Sequence, residues 1–470
     1  MITQAQARST ADRWLNPEGH QGPPREVAMQ EFDLGWVVWA VPPPPEVDPE
    51  TGRRRPPAEI GTACGVVDRA SGELTVWPSV PVDEVVRMYQ QKHGGEGGAS
   101  PAPEAMGAPR ATTGAPGATG EGAAPTAPQE PARPPVTGPG NTAVATYPDP
   151  ATGEETNLVK VSAPGQPPVE FQLHAELQRL GVDPANVRAV HTDLRSALLP
   201  GGYPGDFVLR TFPNAGFSCT EGYGMRPEER AEGVAGLLRH VELMHRMAGQ
   251  QAPPQPHRVP VPERVEAAPQ LRDVALGKHL VEVFGPEGVH RPDADDLAAT
   301  ELPEATRNTL LWAGLPTAVP YFFTADRPDA PPAGGLFTNV ATHLRETGTR
   351  AEEQTLETLA GYVRIGTDGL YTLAVQCTAP ETNQSLIGTV WAVQPSSGGG
   401  RFVNRTLSAY LRSLALLVTT RRQMQGMDPL AAGTAVAGFQ EQIAAIDSWS
   451  LDDTGNWWSL VVEQMWHGLF

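Results

Sequence analysis

The sequence predicts a multi-domain α+β protein, on three grounds. The chain has 470 residues, room for about three domains of ordinary size. Its 49 Pro and 49 Gly concentrate in stretches that read as linkers. Between those stretches, short β-rich runs alternate with amphipathic helical runs, the pattern of sheets layered with helices. A hydrophobic fraction of 40% with 10 Trp supplies packed cores for the modules.

Residues 1–92 read as a small α+β unit. "QAQARSTADRWL" has helical spacing, with Ala7, Ala11, Trp14 and Leu15 on one side. "GWVVWAV", Gly35–Val41, is a β-rich run that Pro42–Pro45 stop. "GTACGVVDRASGELTVWP" predicts a hairpin turning at Ala70-Ser71-Gly72. "VDEVVRMYQQKH" predicts a closing helix, capped by Asp83 or the residue before it. Residues 93–145 carry almost no large apolar side chain, cannot bury a core, and are expected to be a disordered linker.

Residues 146–250 read as an α/β module. "NLVKVSA" is a strand, "EFQLHAELQRLG" a helix ending at Gly181, "VRAVHTDL" a second strand and "GFSCTEGYG" a third. "PEERAEGVAGLLRHVELMHRMA" follows as a long helix. Residues 251–264 are expected to be a second linker, and 265–470 an α+β module with a turn-rich β core followed by long helices. Within it "GTDG" of "IGTDGLYTLAV" reads as a tight turn between strands, and "SSGGGRF" as a loop. Neither is a phosphate loop, because no GK[ST] follows. "RFVNRTLSAYLRSLALL" predicts a strand end, an N-cap at Asn404 or Thr406, and a helix with Leu407, Leu411, Leu414 and Leu417 in the core. "NWWSLVVEQMWHGLF" sets Trp458, Val462 and Trp466 on one helical face. Asp447, Asp452 and Asp453 beside it are the candidate partner-binding acidic rim.

The net charge of -19 disfavours direct nucleic-acid binding and favours basic partners. Cys64, Cys219 and Cys377 form no CxxC pair, which suits a reducing cytoplasm. Neither a signal h-region nor an 18-residue apolar run is present, so a cytoplasmic protein without a membrane anchor is expected.

His174-Ala175-Glu176 is the one candidate catalytic tripeptide. In zinc-dependent nucleobase deaminases a His-x-Glu supplies a metal ligand and the proton-carrying carboxylate, and two thiolates complete the site. The tripeptide also suits polar neighbours on an amphipathic helix anchored by Leu173, Leu177 and Leu180. The segment as a whole resembles the nucleic-acid/nucleotide deaminase-like domains of bacterial polymorphic toxin systems. "LPGGY", Leu199–Tyr203, carries that resemblance most specifically. The resemblance implies cysteines where Ala197 and Pro204 stand, and a strand-end Glu where Asp193 stands. Ala and Pro cannot ligate a metal, and Cys219 alone could replace only one thiolate. His174, Glu176, Ala197 and Pro204 are therefore expected to be vestigial, with no cofactor and no metal.

The C-terminal module resembles the fourth group of the SUKH superfamily, immunity proteins that bind and neutralise toxins. "GLPTAVPYFF", "VRIGTDG", "GTVWAV", "RFVNRTLSAYLRSLALL" and "WWSLVVEQMW" carry the likeness. "QCTAPETNQSLI" departs from it as a longer, more irregular hairpin. The N-terminal unit is similar to the YrhB-like type, immunity protein 35, through "ARSTADRWLN", "GWVVWAV" and "GVVDRASGELTVWP". Together these imply an immunity protein that neutralises a cognate toxin, a nuclease or a deaminase, by stoichiometric binding. The alternative is an active zinc-dependent deaminase with an atypical metal site.

Overall fold

The computed structural model describes residues 2–16, 24–41, 64–77, 133–348, 351–395 and 398–470, with Val82, Val85, Val86, Tyr89 and Gln90. The described residues fall into two compact units, one holding those up to Gln90, the other those from Pro134 onward. Among the described residues no helix is long and apolar enough to cross a membrane.

In the first unit, helix α1 (Gln4–Leu15) starts at a capping box, in which Thr3 and Gln6 satisfy each other's backbone N–H. Strands β1 (Val27–Phe32), β2 (Gly35–Ala40), β3 (Cys64–Asp68) and β4 (Leu74–Trp77) form an antiparallel sheet in that order. Strand alternation gives the sheet two apolar faces. Trp36, Val38 and Val67 meet Ala7, Ala11 and Leu15 of α1, while Val37, Cys64 and Val66 lie under Val85 and Tyr89. The closing helix is seen at Val82, Val85, Val86, Tyr89 and Gln90, and the expected cap Asp83 lies outside the described residues. Strand β1 has no counterpart among the sequence expectations. It is an edge strand with only Val27 buried, so its sequence lacks the alternation that marks a half-buried strand.

Most of the expected 93–145 linker lies outside the described residues, but its last part is structured. Val136 bridges to His257, and β5 (Thr142–Pro148) turns Ala143, Ala145 and Tyr147 into a core. Strand β6 (Glu155–Val161), helix α2 (Val169–Arg179), β7 (Ala189–Leu194), α3 (Pro204–Thr211), β8 (Gly216–Glu221) and α4 (Pro227–Met247) follow. The sheet order is β6-β5-β7-β8, with only β7 and β8 parallel. That pair is joined by a crossover through α3, as parallel strands require. Leu173 and Leu177 of α2 pack with Val208 and Phe212 over one face.

The rest of the chain adds α5 (Asp273–Phe284), β9 (Val289–His290), α6 (Ala294–Ala298), α7 (Glu304–Trp312), β10 (Leu315–Pro316), β11 (Ala318–Val319) and β12 (Phe323–Ala325). Then come α8 (Val340–Thr347), α9 (Glu353–Leu359), β13 (Tyr362–Thr367), β14 (Thr372–Gln376), β15 (Val390–Val393) and β16 (Gly400–Asn404). Helices α10 (Leu407–Met424), α11 (Pro429–Ile446) and α12 (Trp457–Trp466) end it. Strands β11 to β16 make a six-stranded antiparallel sheet in sequential order. Leu407, Leu411, Leu414 and Leu417 are buried against it, as are Trp457 and Trp458. Thr406, not Asn404, caps α10, its Oγ1 accepting from Ala409 N at 3.1 Å. Asn404 is instead buried and accepts from Trp458 Nε1 at 2.9 Å.

Residues 251–264 carry no helix or strand, yet they do not behave as a free linker. Gln440 Nε2 donates to the carbonyls of Val259 and Pro260, and Val259 and Val261 pack on the large core. The α/β module and the C-terminal module therefore share one unit. The joint between them is polar and buried. Tyr203 Oη donates to Asp368 Oδ2 at 2.5 Å, and Trp457 Nε1 donates to the same oxygen at 2.9 Å. Arg230, 1% exposed, makes a two-pronged ion pair with Glu463 at 2.9 and 2.7 Å. Tyr223 Oη lies 2.7 Å from His467 Nδ1. Burial pushes His467 down to about 4, so the ring is neutral near pH 7 and accepts that proton donor.

Asp368→Ala leaves a buried phenol and a buried indole N–H without an acceptor. At about 1–3 kcal/mol for each orphaned group, the loss is expected to be roughly 3 kcal/mol. Urea unfolding of the full chain measures it, with Asp368→Asn, which keeps one carbonyl acceptor, losing less.

Candidate functional site

The N-terminal ends of α2 and α3 meet in a small cleft. Pro168 is the N-cap of α2, and Glu170 in its first turn is 3% exposed. Glu170 Oε1 accepts from Ser196 Oγ at 2.7 Å. Burial pushes the Glu170 carboxyl above its ordinary range, while the Ser196 hydroxyl pulls the other way. After β7 the chain passes Ser196 and Ala197, makes the turn Leu199–Tyr203, and enters α3 at Pro204. The turn runs left-handed through Gly201 (φ 112), Gly202 (φ 99) and Tyr203 (φ 49). Glycine is required twice. A Cβ on Gly201 would sit 2.9 Å from the Phe470 ring, and one on Gly202 would sit 2.8 Å from Phe171. What remains between Pro168, Glu170, Ala197, Pro204, Leu469 and Phe470 is a cavity of about 20 Å³, room for about one water.

The structure separates the sequence-predicted residues. Ala197 and Pro204 do lie at this cleft, with the Ala197 carbonyl accepting from Gly205 N at 2.9 Å. His174 lies one turn further along α2, its ring 5.5 Å from Phe207 and 6.0 Å from Phe212, edge to face. Partial burial there holds its pKa below the usual histidine range. Glu176 is tied to Lys160 at 3.2 Å and to Arg179 at 2.5 Å. The carboxyl that reaches the cleft is Glu170, so His174-Ala175-Glu176 is not the tripeptide the helix geometry presents. The signal for Glu170 was available in "PVEF": a proline opening the helix, with a carboxyl in its first turn.

A second, larger cavity of about 360 Å³ lies between β7, β8, α3 and the start of α4, lined by Thr192, Val208, Phe217, Cys219 and Tyr223. Burial pushes the Cys219 thiol up to about 12, which keeps it protonated near pH 7. Among the described residues no group of three or more His, Cys, Asp and Glu is placed to hold a metal ion.

The expected acidic rim is only partly a surface. Asp447 is 1% exposed and accepts from Asn404 Nδ2, Arg405 N and Arg405 Nε. It is a structural acceptor at the start of a 3-10 turn (Ser448–Leu451), not a partner contact. Asp452 and Asp453 are exposed. Trp449 lies in that turn, 40% exposed and under the Arg405 guanidinium at 5.2 Å.

Three family models match the chain in order. Residues 5–96 match the immunity protein 35-like domain, 138–240 the Xanthomonas-like deaminase and 275–464 the SUKH-4 immunity protein. No curated protein and no solved structure gives a significant match. The deaminase likeness implies zinc, which needs three nitrogen or sulfur donors around an open position. Pro168, Ala197 and Pro204 line the cleft without a donor side chain, and the one carboxyl there, Glu170, stands beside amide and hydroxyl groups with no His or Cys in the lining, so the residues do not fit the metal.

Because folding raises the Glu170 pKa, the native state holds a proton that the unfolded chain releases. Its contribution to stability is full below the unfolded value of about 4.3 and is lost as pH rises through the raised native value. Glu170→Gln is expected to remove that descent from a pH series of urea midpoints; a variant profile parallel to wild type contradicts the assignment.

Proposed function

We propose that this protein is an immunity protein of a polymorphic toxin system, acting in the cytoplasm by binding and neutralising a cognate toxin. The observation that carries the reading is that immunity-type matches, at 5–96 and 275–464, flank the deaminase-like segment. In this reading the middle segment is a pseudoenzyme, supported by a cleft lined by Pro168, Ala197, Pro204 and a single carboxyl, with no His or Cys. It serves as scaffold, and the rival of an active deaminase lacks the side chains to hold its metal.

Neutralisation by binding needs no chemistry, only a complementary surface that blocks the toxin. The net charge of -19 steers a basic partner toward the protein and speeds encounter. The best-formed candidate contact is Trp449 with Asp452 and Asp453. An exposed tryptophan held in place by a neighbouring guanidinium is the kind of anchor that dominates interface energies, and the two carboxylates give it a charged rim.

Co-expression with each candidate toxin gene found beside it tests the reading: the full chain should restore growth against one of them and co-purify with that toxin in a fixed ratio. Absence of protection against every neighbouring toxin contradicts it. Within that complex, Asp452→Lys/Asp453→Lys is expected to slow association roughly tenfold at low salt with little change in dissociation. Trp449→Ala should instead speed dissociation, and surface plasmon resonance separates the two effects.

A further inference from the structure

The turn Leu199–Tyr203 is covered along its length by residues of the C-terminal module. Leu199 shares a buried cluster with Leu460. The Pro200 carbonyl accepts from Gln464 Nε2 at 2.6 Å. Gly201 lies against the Phe470 ring and Gly202 against Tyr321, and Tyr203 donates to Asp368. The approach of residues 469–470 is itself built in. Just past the end of α12, Gly468 takes a left-handed conformation (φ 76), and a Cβ there would sit 2.6 Å from the Gly138 carbonyl. The turn there sends Leu469 and Phe470 back to the cleft, where both line the residual cavity beside Glu170. Phe470 is 1% exposed, with Phe322 edge-on at 5.4 Å.

We propose that the cleft at the N-terminal ends of α2 and α3 has been converted from a metal-centred site into an intramolecular docking site, whose occupant is this chain's own Leu469-Phe470. The conversion follows from two independent features. Pro168, Ala197 and Pro204 cannot hold a metal, and the two side chains fill the volume down to one water. The carboxyl of Glu170 is left facing Ser196, closed off from solvent by the latch. The proposal rests on the pseudoenzyme part of the function above, and it makes no use of the toxin.

The test is hydrogen–deuterium exchange on the full chain, comparing wild type with Leu469→Ala/Phe470→Ala. Amides in the first turns of α2 and α3 are expected to exchange at least tenfold faster in the variant, with β1–β4 unchanged. Exchange that rises only within residues 457–470 overturns the proposal, because the segment is then a passive helix end. Should the double variant fail to fold, Leu469→Ala alone carries the comparison, with a smaller increase at the same two turns. Zinc chloride added to wild type and variant, followed by gel filtration and metal analysis, gives the second readout. No retained zinc is expected in either, and near-stoichiometric zinc in either overturns the conversion. Growth protection by the toxin assay is unaffected by these outcomes in wild type, so failure here and failure of the immunity reading are distinguishable.

Discussion

The carboxylate of Asp368 is the point on which residues 134–470 depend. It sits in the turn between β13 and β14, where Oδ1 accepts from the backbone N–H of Leu370 and Tyr371. Oδ2 accepts from Tyr203 and Trp457. One side chain thus closes its own turn, fixes the start of α12 and holds the turn that opens α3. A buried carboxyl is tolerated only when its polar atoms are met, and here donors from three parts of the chain meet them. Tyr203 in turn has a left-handed backbone (φ 49), a conformation that costs a non-glycine residue about 1–3 kcal/mol unless its surroundings impose it. The bond to Asp368 is part of what imposes it.

The other joints repeat the logic. Arg230 and Glu463 are both withdrawn from water and answer each other in two parallel hydrogen bonds, and the Arg230 guanidinium also donates to the Met225 carbonyl. Losing one partner would strand a buried charge, so the pair specifies how α4 meets α12 more than it adds net stability. Apolar contacts fill the space between these polar pins, with Leu194, Leu199, Leu237 and Leu460 in one cluster. The deaminase-like segment is consequently not an appendage of the SUKH-like segment. The two share a core boundary, and the cleft at the starts of α2 and α3 is lined by Gln464, Leu469 and Phe470 of the C-terminal segment.

Much of the local structure was legible in the sequence, and the reason is local too. Ala7, Ala11 and Leu15 repeat at helical spacing, "LTVW" and "CGVVD" flank a glycine turn, and the leucines of α10 mark one face. What escaped depends on partners distant in sequence. The turn reading of "GTDG" was right about the backbone and silent about the Asp368 side chain, which meets a residue 165 positions away. Asp447 looked like part of an acidic surface, but its partners Asn404 and Arg405 lie some 42 positions back and draw it inside. His174-Ala175-Glu176 matched a motif in letters, whereas the cleft is one helical turn earlier. On a helix a shift of four residues moves a side chain about 6 Å along the axis, enough to exchange a site for a flank.

If the two segments are one cooperative body, they must open together. Native-state hydrogen exchange at rising urea measures this at the amides of Val190 and Thr192 in β7 and of Leu373 and Val375 in β14. Both sets are expected to converge on a single opening free energy with the same urea dependence. A lower, shallower isotherm for β7 alone, with β14 still protected, would contradict it and make the deaminase-like segment an independent domain.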